Sequence, residues 1–245
     1  MDIFALLNRL TLPLGKWLGT KVAIHWTMTL MLVLVGFLNP HYLLVLTCMF
    51  GIVLLHEFGH VIAGKTVGIF AQSVYLTPLG GMAIFPPSCP NAKDEFVMTI
   101  GGPLVNVILI PILWGMSCLF PFWMFVAKFN LVILVFNLLP SFPMDGGRLL
   151  RSIHYYWSKD YYRATKVAVM TSKVICVMMG AFGAMTMNFM MVAIAFMIYQ
   201  MADMELGQAA LKLAFYGNSA SPNEEVDISA RNLRILRDKI RKVGR

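Results

Sequence analysis

The sequence predicts an all-α polytopic membrane protein: six transmembrane helices, with a short membrane-associated β-strand or hairpin region between the second and third. Three observations carry this. The 245 residues are 58% hydrophobic and only 13% charged, and the mean hydropathy is +0.71, far from the balance of a soluble domain. Several uninterrupted apolar stretches approach the roughly 20 residues that cross a bilayer. Lysine and arginine avoid alternate connections: none falls near residues 39–42, 119–123 or 187–189, whereas Arg9, Lys16, Lys21, Lys65, Lys93, Arg148, Arg151, Lys159, Arg163 and Lys166 fall on the opposite set. By the positive-inside rule both termini are cytoplasmic. The net charge of +8 belongs to this topology, and no nucleic-acid partner is expected.

Residues 1–22 mix leucines and Trp17 with Arg9, Lys16 and Lys21, which suits an interfacial lead-in on the cytoplasmic face. No cleavable secretory signal is expected there. A first span is predicted from Val22 to Leu38, ended by Asn39-Pro40, with His25 at the interface near its start. The second span, Leu43 to Gly64, ends in His56-Glu57-Phe58-Gly59-His60. From Lys65 to Lys93 the pattern changes to β-branched and aromatic residues around a Pro78–Gly81 turn, which reads as a short hairpin.

A third span follows Asp94-Glu95, acids suited to a helix N-terminus, and runs to about Leu119 with Asn106 inside it. Pro121 turns the chain into a fourth, Phe122 to Leu139, containing Lys128 and Asn137. Lys128 lies near an outer end, where a lysine can snorkel. The helix-breaking segment Pro140–Arg148 comes next, then a polar stretch to Lys166 and two last spans, about Ala168–Met187 and Phe189–Met204. Residues 1–205 are therefore expected to form the membrane-embedded core, and 206–245 a short basic cytoplasmic tail. Leu233, Leu236 and Ile240 in that tail recur at helical spacing among basic residues. This pattern suits either a solvated basic tail or an amphipathic helix on the anionic inner leaflet. Cys48, Cys89, Cys118 and Cys176 form no CxxC pair and read as buried hydrophobes.

The chemistry concentrates on the second span. Residues four apart share a helix face, so His56 and His60 can reach one metal ion. Glu57 is turned about 100° from His56 and can address water instead. The plain alternative is two core histidines, but histidines and a glutamate in hydrocarbon are costly without partners or function. A hydrolytic zinc site takes a third protein ligand. Asp145, which follows the fourth span at the same expected membrane depth, is the best candidate, the alternative being a helix-capping aspartate. Asn106 and Asn137 are either interhelical hydrogen-bonding residues or groups for a substrate backbone or an oxyanion.

HEFGH on one membrane helix, GGPLVN on the next and NLLPSFPMDGG after the following one resemble the site-2 protease family of intramembrane zinc metalloproteases. The resemblance covers about residues 20–150. It implies a three-helix catalytic core from the second, third and fourth spans, Zn2+ bound by His56, His60 and Asp145, and Glu57 as catalytic acid and base. It further implies that LTPLGGMAIF is a strand region offering an edge to an extended substrate, and that Asn106 and Asn137 handle substrate or stabilise the transition state. Met144, where leucine is common, is a small departure, and no room is expected for the PDZ or CBS domains of many relatives. The implied function is hydrolysis of a peptide bond in or near the transmembrane segment of a membrane-protein substrate. An intramembrane metal transporter and a non-catalytic membrane scaffold are the competing readings.

Overall fold

The computed structural model describes residues 11–78, 80–86 and 91–216; Arg9 and the expected tail helix lie outside them. In chain order the elements are β1 (Thr11–Trp17), β2 (Thr20–His25), α1 (Trp26–Leu38), α2 (Pro40–Thr66), β3 (Ser73–Thr77), β4 (Gly80–Ile84), α3 (Ala92–Ser117), α4 (Phe122–Leu138), α5 (Asp145–Ser158), α6 (Tyr161–Met185) and α7 (Phe189–Tyr216). Helices α2, α3 and α6, and α7 over Phe189–Lys212, are long and apolar enough to cross a bilayer, while α1 and α4 are shorter apolar helices. Large apolar side chains such as Phe37, Trp114, Val177 and Met185 face outward, as they do where lipid replaces water. The protein is a multi-pass helical membrane protein with a small sheet.

Two expectations change. Residues 11–25 form a β-hairpin, so the first helix begins at Trp26 and not at Val22. The sheet accordingly has four strands, in the order β1-β2-β3-β4, where the sequence suggested only the β3–β4 hairpin. The polar stretch after Arg148 is helical, forming α5 and the first turn of α6.

Local chemistry explains the breaks. His25 caps α1, its Nδ1 accepting from the Thr27 amide at 3.4 Å. Asn39 ends α1 and caps α2, its Oδ1 accepting from the His41 amide at 3.0 Å, with Pro40 at the first helical position where its missing N–H costs nothing. Asp160 caps α6 through the Arg163 amide at 2.9 Å.

The described residues divide into two compact units. The first holds residues 11–86 and 97–138. Its strands β1 and β2 pair antiparallel, β2 and β3 parallel (Lys21↔Ser73 to Ile24↔Leu76), and β3 and β4 antiparallel. The sheet packs on α2 through Val22 and Val74 against Phe58 and Val61, and the Trp17 indole stacks on the Phe58 ring at 6.0 Å. A second cluster joins Ile52 of α2, Leu113 of α3, and Val126 and Ala127 of α4, the three helices expected to form the core. Helices α2 and α3 meet at glycines: a Cβ on Gly59 would lie 2.3 Å from the Gly101 carbonyl oxygen, and one on Gly101 2.4 Å from that of Gly59. Lipid is as apolar as leucine, so close backbone packing, rather than expulsion of water, holds such helices together.

The second unit holds residues 91–96 and 139–216. Phe142, Ala168, Val169 and Ala202 form its apolar core. Beside them Arg151, 3% exposed, donates from Nε to Glu95 Oε1 at 2.9 Å and from Nη1 to Glu205 Oε2 at 3.1 Å. Its guanidinium lies 4.9 Å from the Phe142 ring centroid and 5.1 Å from that of Tyr161. Burial alone would lower the Arg151 pKa, but Glu95, Tyr161 and Glu205 outweigh it and hold it above its ordinary value. The Phe142 amide donates to Ser172 Oγ at 2.8 Å, which fixes the segment leading to Asp145.

Candidate active site

Helix α2 delivers His56 and His60, each 4% exposed, with their Nε2 atoms 3.2 Å apart. Each ring is held by its other nitrogen. His56 Nδ1 donates to Asn106 Oδ1 on α3. His60 Nδ1 faces the Met98 carbonyl oxygen at 3.0 Å, and the Gly102 amide lies 3.3 Å from the same nitrogen. A carbonyl only accepts, so the nearer partner calls for a hydrogen on His60 Nδ1. Both Nε2 lone pairs then point toward one place. At 3.2 Å they repel unless a cation lies between them, and two nitrogens about 2.0–2.1 Å from one tetrahedral zinc ion sit roughly 3.3 Å apart. The donor pair fits a zinc ion, and the outward Nδ1 bonds are the usual means of orienting metal-binding imidazoles.

Gly102 explains part of the GGPLVN motif. A Cβ there would lie 2.3 Å from His60 Nε2 and 2.7 Å from His56 Cε1. Only a bare backbone leaves that side of the ring pair open.

Glu57 is half-buried and turned from the ring pair toward the sheet, its Oε2 accepting from the Ala83 amide of β4 at 2.9 Å. A Cβ on Gly81 of the same strand would lie 2.5 Å from Glu57 Cγ. The predicted hairpin therefore does more than sit at the membrane: it supplies the hydrogen bond that holds the carboxylate. Nothing in the sequence spacing foretold that contact.

Asp145 is the first residue of α5, follows the N-cap Met144, and is 6% exposed. Asn106 is fully buried, and its Nδ2 donates to Asn130 Oδ1 at 2.7 Å while Asn130 Nδ2 donates to the Asn106 carbonyl oxygen at 2.9 Å. Asn137 is half-buried, its Nδ2 donating to the Ile133 carbonyl oxygen one turn back in α4 at 3.1 Å. The structure thus brings Asn106 to His56, whereas the Asn137 amide turns back onto its own helix. Asn130 was missed by the sequence reading. Its signal was a second amide in the same apolar span as Asn137, seven residues away and so on the same helical face.

Fold and site together define a multi-pass membrane protein with a metallopeptidase-type HExxH helix packed between a small sheet and two neighbouring helices. The model of Peptidase family M50 matches residues 44–121 and 114–181. A zinc metalloprotease of Methanocaldococcus jannaschii is 32% identical over 209 residues, 80% of this chain and 60% of that protein. Stage IV sporulation protein FB of Bacillus subtilis is 31% identical over 176 residues, 68% of this chain and 59% of its own. The solved site-2 protease from M. jannaschii superposes with a TM-score of 0.62 at 30% identity, covering 80% of this chain and 95% of that one. The chain belongs to peptidase family M50, the site-2 protease family. It spans about 60% of the length of the two curated relatives.

Proposed function

We propose that this protein is an intramembrane zinc metalloprotease that hydrolyses a peptide bond in or near the transmembrane segment of a membrane-protein substrate. The observation that carries the reading is the buried His56–His60 pair, its Nε2 atoms 3.2 Å apart and both Nδ1 atoms engaged, in a chain of this family. His56, His60 and Asp145, all buried, form the proposed ligand set. Two imidazoles and a carboxylate are the donors of a hydrolytic zinc site. Zinc held there supplies Lewis acidity and brings the pKa of water toward about 7.

The remaining work falls to the chain's own residues. Glu57, off the ligand face, takes a proton from the attacking water and returns it to the leaving amine nitrogen. The Ala83 amide keeps that carboxylate in place between the two transfers. A substrate helix must unwind before its carbonyls are open to attack, because in lipid they are tied up internally. Strand β4 is one edge of the sheet and carries the Glu57 contact, so a peptide pairing with that edge is led past the carboxylate. Asn137 is retained as a candidate for substrate handling.

We also propose six crossings with both termini cytoplasmic. Besides the lysine and arginine pattern, β2 enters α1 and β3 leaves α2, and the two strands are hydrogen-bonded neighbours. Both ends of the α1–α2 pair therefore lie on one face, and if α2 crosses, α1 must return. At 13 residues, α1 is about 20 Å long against a hydrocarbon core of roughly 30 Å. Its crossing needs β2 or a locally thinned bilayer to complete it.

The test is cleavage of a single-span substrate by purified protein, with zinc measured alongside. Wild type should bind about one zinc and cut. Glu57→Gln should keep the zinc and lose roughly 10²- to 10⁴-fold in rate. Near wild-type cleavage by that variant would sink the role of Glu57.

A further inference from the structure

We infer that Asn130 is a positioning residue of the site: acting through Asn106, it fixes which nitrogen of His56 carries the hydrogen and so which one is left to bind metal. The inference rests on the proposed zinc site.

Asn130 lies in the middle of α4, a helix that is apolar apart from Lys128 and Asn137, and is 0% exposed. An amide in such a place is unfavourable unless its groups are satisfied. Both ends are satisfied by a single residue, Asn106 of α3: Nδ2 donates to the Asn106 backbone carbonyl at 2.9 Å, and Oδ1 accepts from the Asn106 side chain at 2.7 Å.

This two-point contact has a polarity that does not depend on telling amide oxygen from nitrogen. The Asn106 backbone carbonyl can only accept, so the NH₂ of Asn130 must face it. The Asn130 oxygen is then left to face the Asn106 side chain, which must answer with its own NH₂. That turns the Asn106 oxygen toward His56, and an amide oxygen only accepts. His56 Nδ1 must donate, which leaves a lone pair on Nε2. A backbone carbonyl at one end thus determines the tautomer of a ring at the other, through two neutral amides that add no net charge.

Without Asn130, the Asn106 amide loses the contact that distinguishes its two ends. Turned over, it would present NH₂ to Nδ1, stabilise the Nε2–H tautomer, and put a hydrogen where the ligand lone pair belongs. Asn130→Leu is close in volume and suits an apolar helix.

The experiment combines two readouts on full-length detergent-solubilised protein. Nitrogen-15 shifts of labelled histidine in apo-protein report the His56 tautomer, and chelator competition reports zinc affinity. Wild type should show the Nδ1–H tautomer and bind one zinc. Asn130→Leu should show a mixture, or the Nε2–H form, and bind zinc about 10- to 100-fold more weakly, the usual range for loss of a group that orients a ligand. Asn106→Leu should weaken binding at least as much, and the double variant no more than Asn106→Leu alone, because Asn130 acts through it. If Asn130→Leu does not fold, Asn130→Ser is read the same way. A folded variant with unchanged tautomer and affinity, or additive effects in the double variant, overturns the inference. Failure of wild type to bind zinc would instead overturn the zinc reading, leaving the apo-protein tautomer comparison to decide the role of Asn130.

Discussion

Among the described residues, the buried polar cluster around α2 and the one around Arg151 are built from opposite materials. Around α2 the cluster joins two imidazoles and two carboxamides to the backbone carbonyls of Met98 and Asn106. In the other unit it is made of charge, with Arg151 between Glu95 and Glu205 and against two aromatic rings. Neutral hydrogen bonds are directional but hardly alter local potential, so they can aim a ligand without competing for its metal. An ion pair is strong only while both partners remain, because each charge has lost its water. The first material suits aiming and the second suits fastening.

Substitutions in both units test that division. The largest effect is expected at the proposed ligand set: His60→Ala, or Asp145→Ala, should reduce bound zinc from about one per chain to near zero and abolish cleavage, with little change in thermal stability of the apo-protein. Full zinc occupancy in either variant would remove that residue from the ligand set. On the charged side the pattern should invert. Arg151→Ala leaves Glu95, 1% exposed, without its partner and should cost roughly 3–5 kcal/mol of stability, seen as a lowered unfolding midpoint, while the protein that remains folded still binds zinc. Glu95→Gln, which removes the charge instead of stranding it, should cost less. A variant that loses zinc but no stability would move Arg151 to the aiming side. The smallest effect is expected at Gly81→Ala. The added carbon would meet Glu57 Cγ at 2.5 Å, and a flexible side chain can give way. Cleavage should fall severalfold with zinc unchanged; loss of zinc would mean that β4 supports the ring pair as well as Glu57.

Much of the candidate site was legible because helical spacing is local. His56, Glu57 and His60 needed only the 3.6-residue turn, and Gly101-Gly102 and Asp145 stood out against apolar surroundings. What could not be read was non-local. Residues 1–22 suited an interfacial lead-in, yet Thr11–Trp17 is an edge strand whose register shifts between Pro13 and Gly15, where proline and glycine are tolerated. The β2–β3 pairing joins residues separated by two helices, and no local pattern announces it. Glu95 was read as an acid suited to a helix N-terminus. It does lie in the first turn of α3, but its partner is an arginine fifty-six residues further along. Asn130 stayed hidden because an amide on an apolar helix, even one that shares a face with Asn137, does not name its partner on another helix.

The parallel pairing of β2 with β3 also sets an order of assembly. The two strands are separated by about fifty residues, nearly all of them in α1 and α2, and closing so long a loop in a free chain carries an entropy cost. On the proposed topology, insertion of the helical pair into lipid brings its two ends together beforehand, so the bilayer closes the loop and the strands have only to zip. During synthesis β2 must wait with an unpaired edge until β3 emerges, and β4, which steadies Glu57 through Ala83, emerges after that. A nascent chain can therefore carry the complete HEFGH helix in the membrane while still lacking the strand that holds its carboxylate.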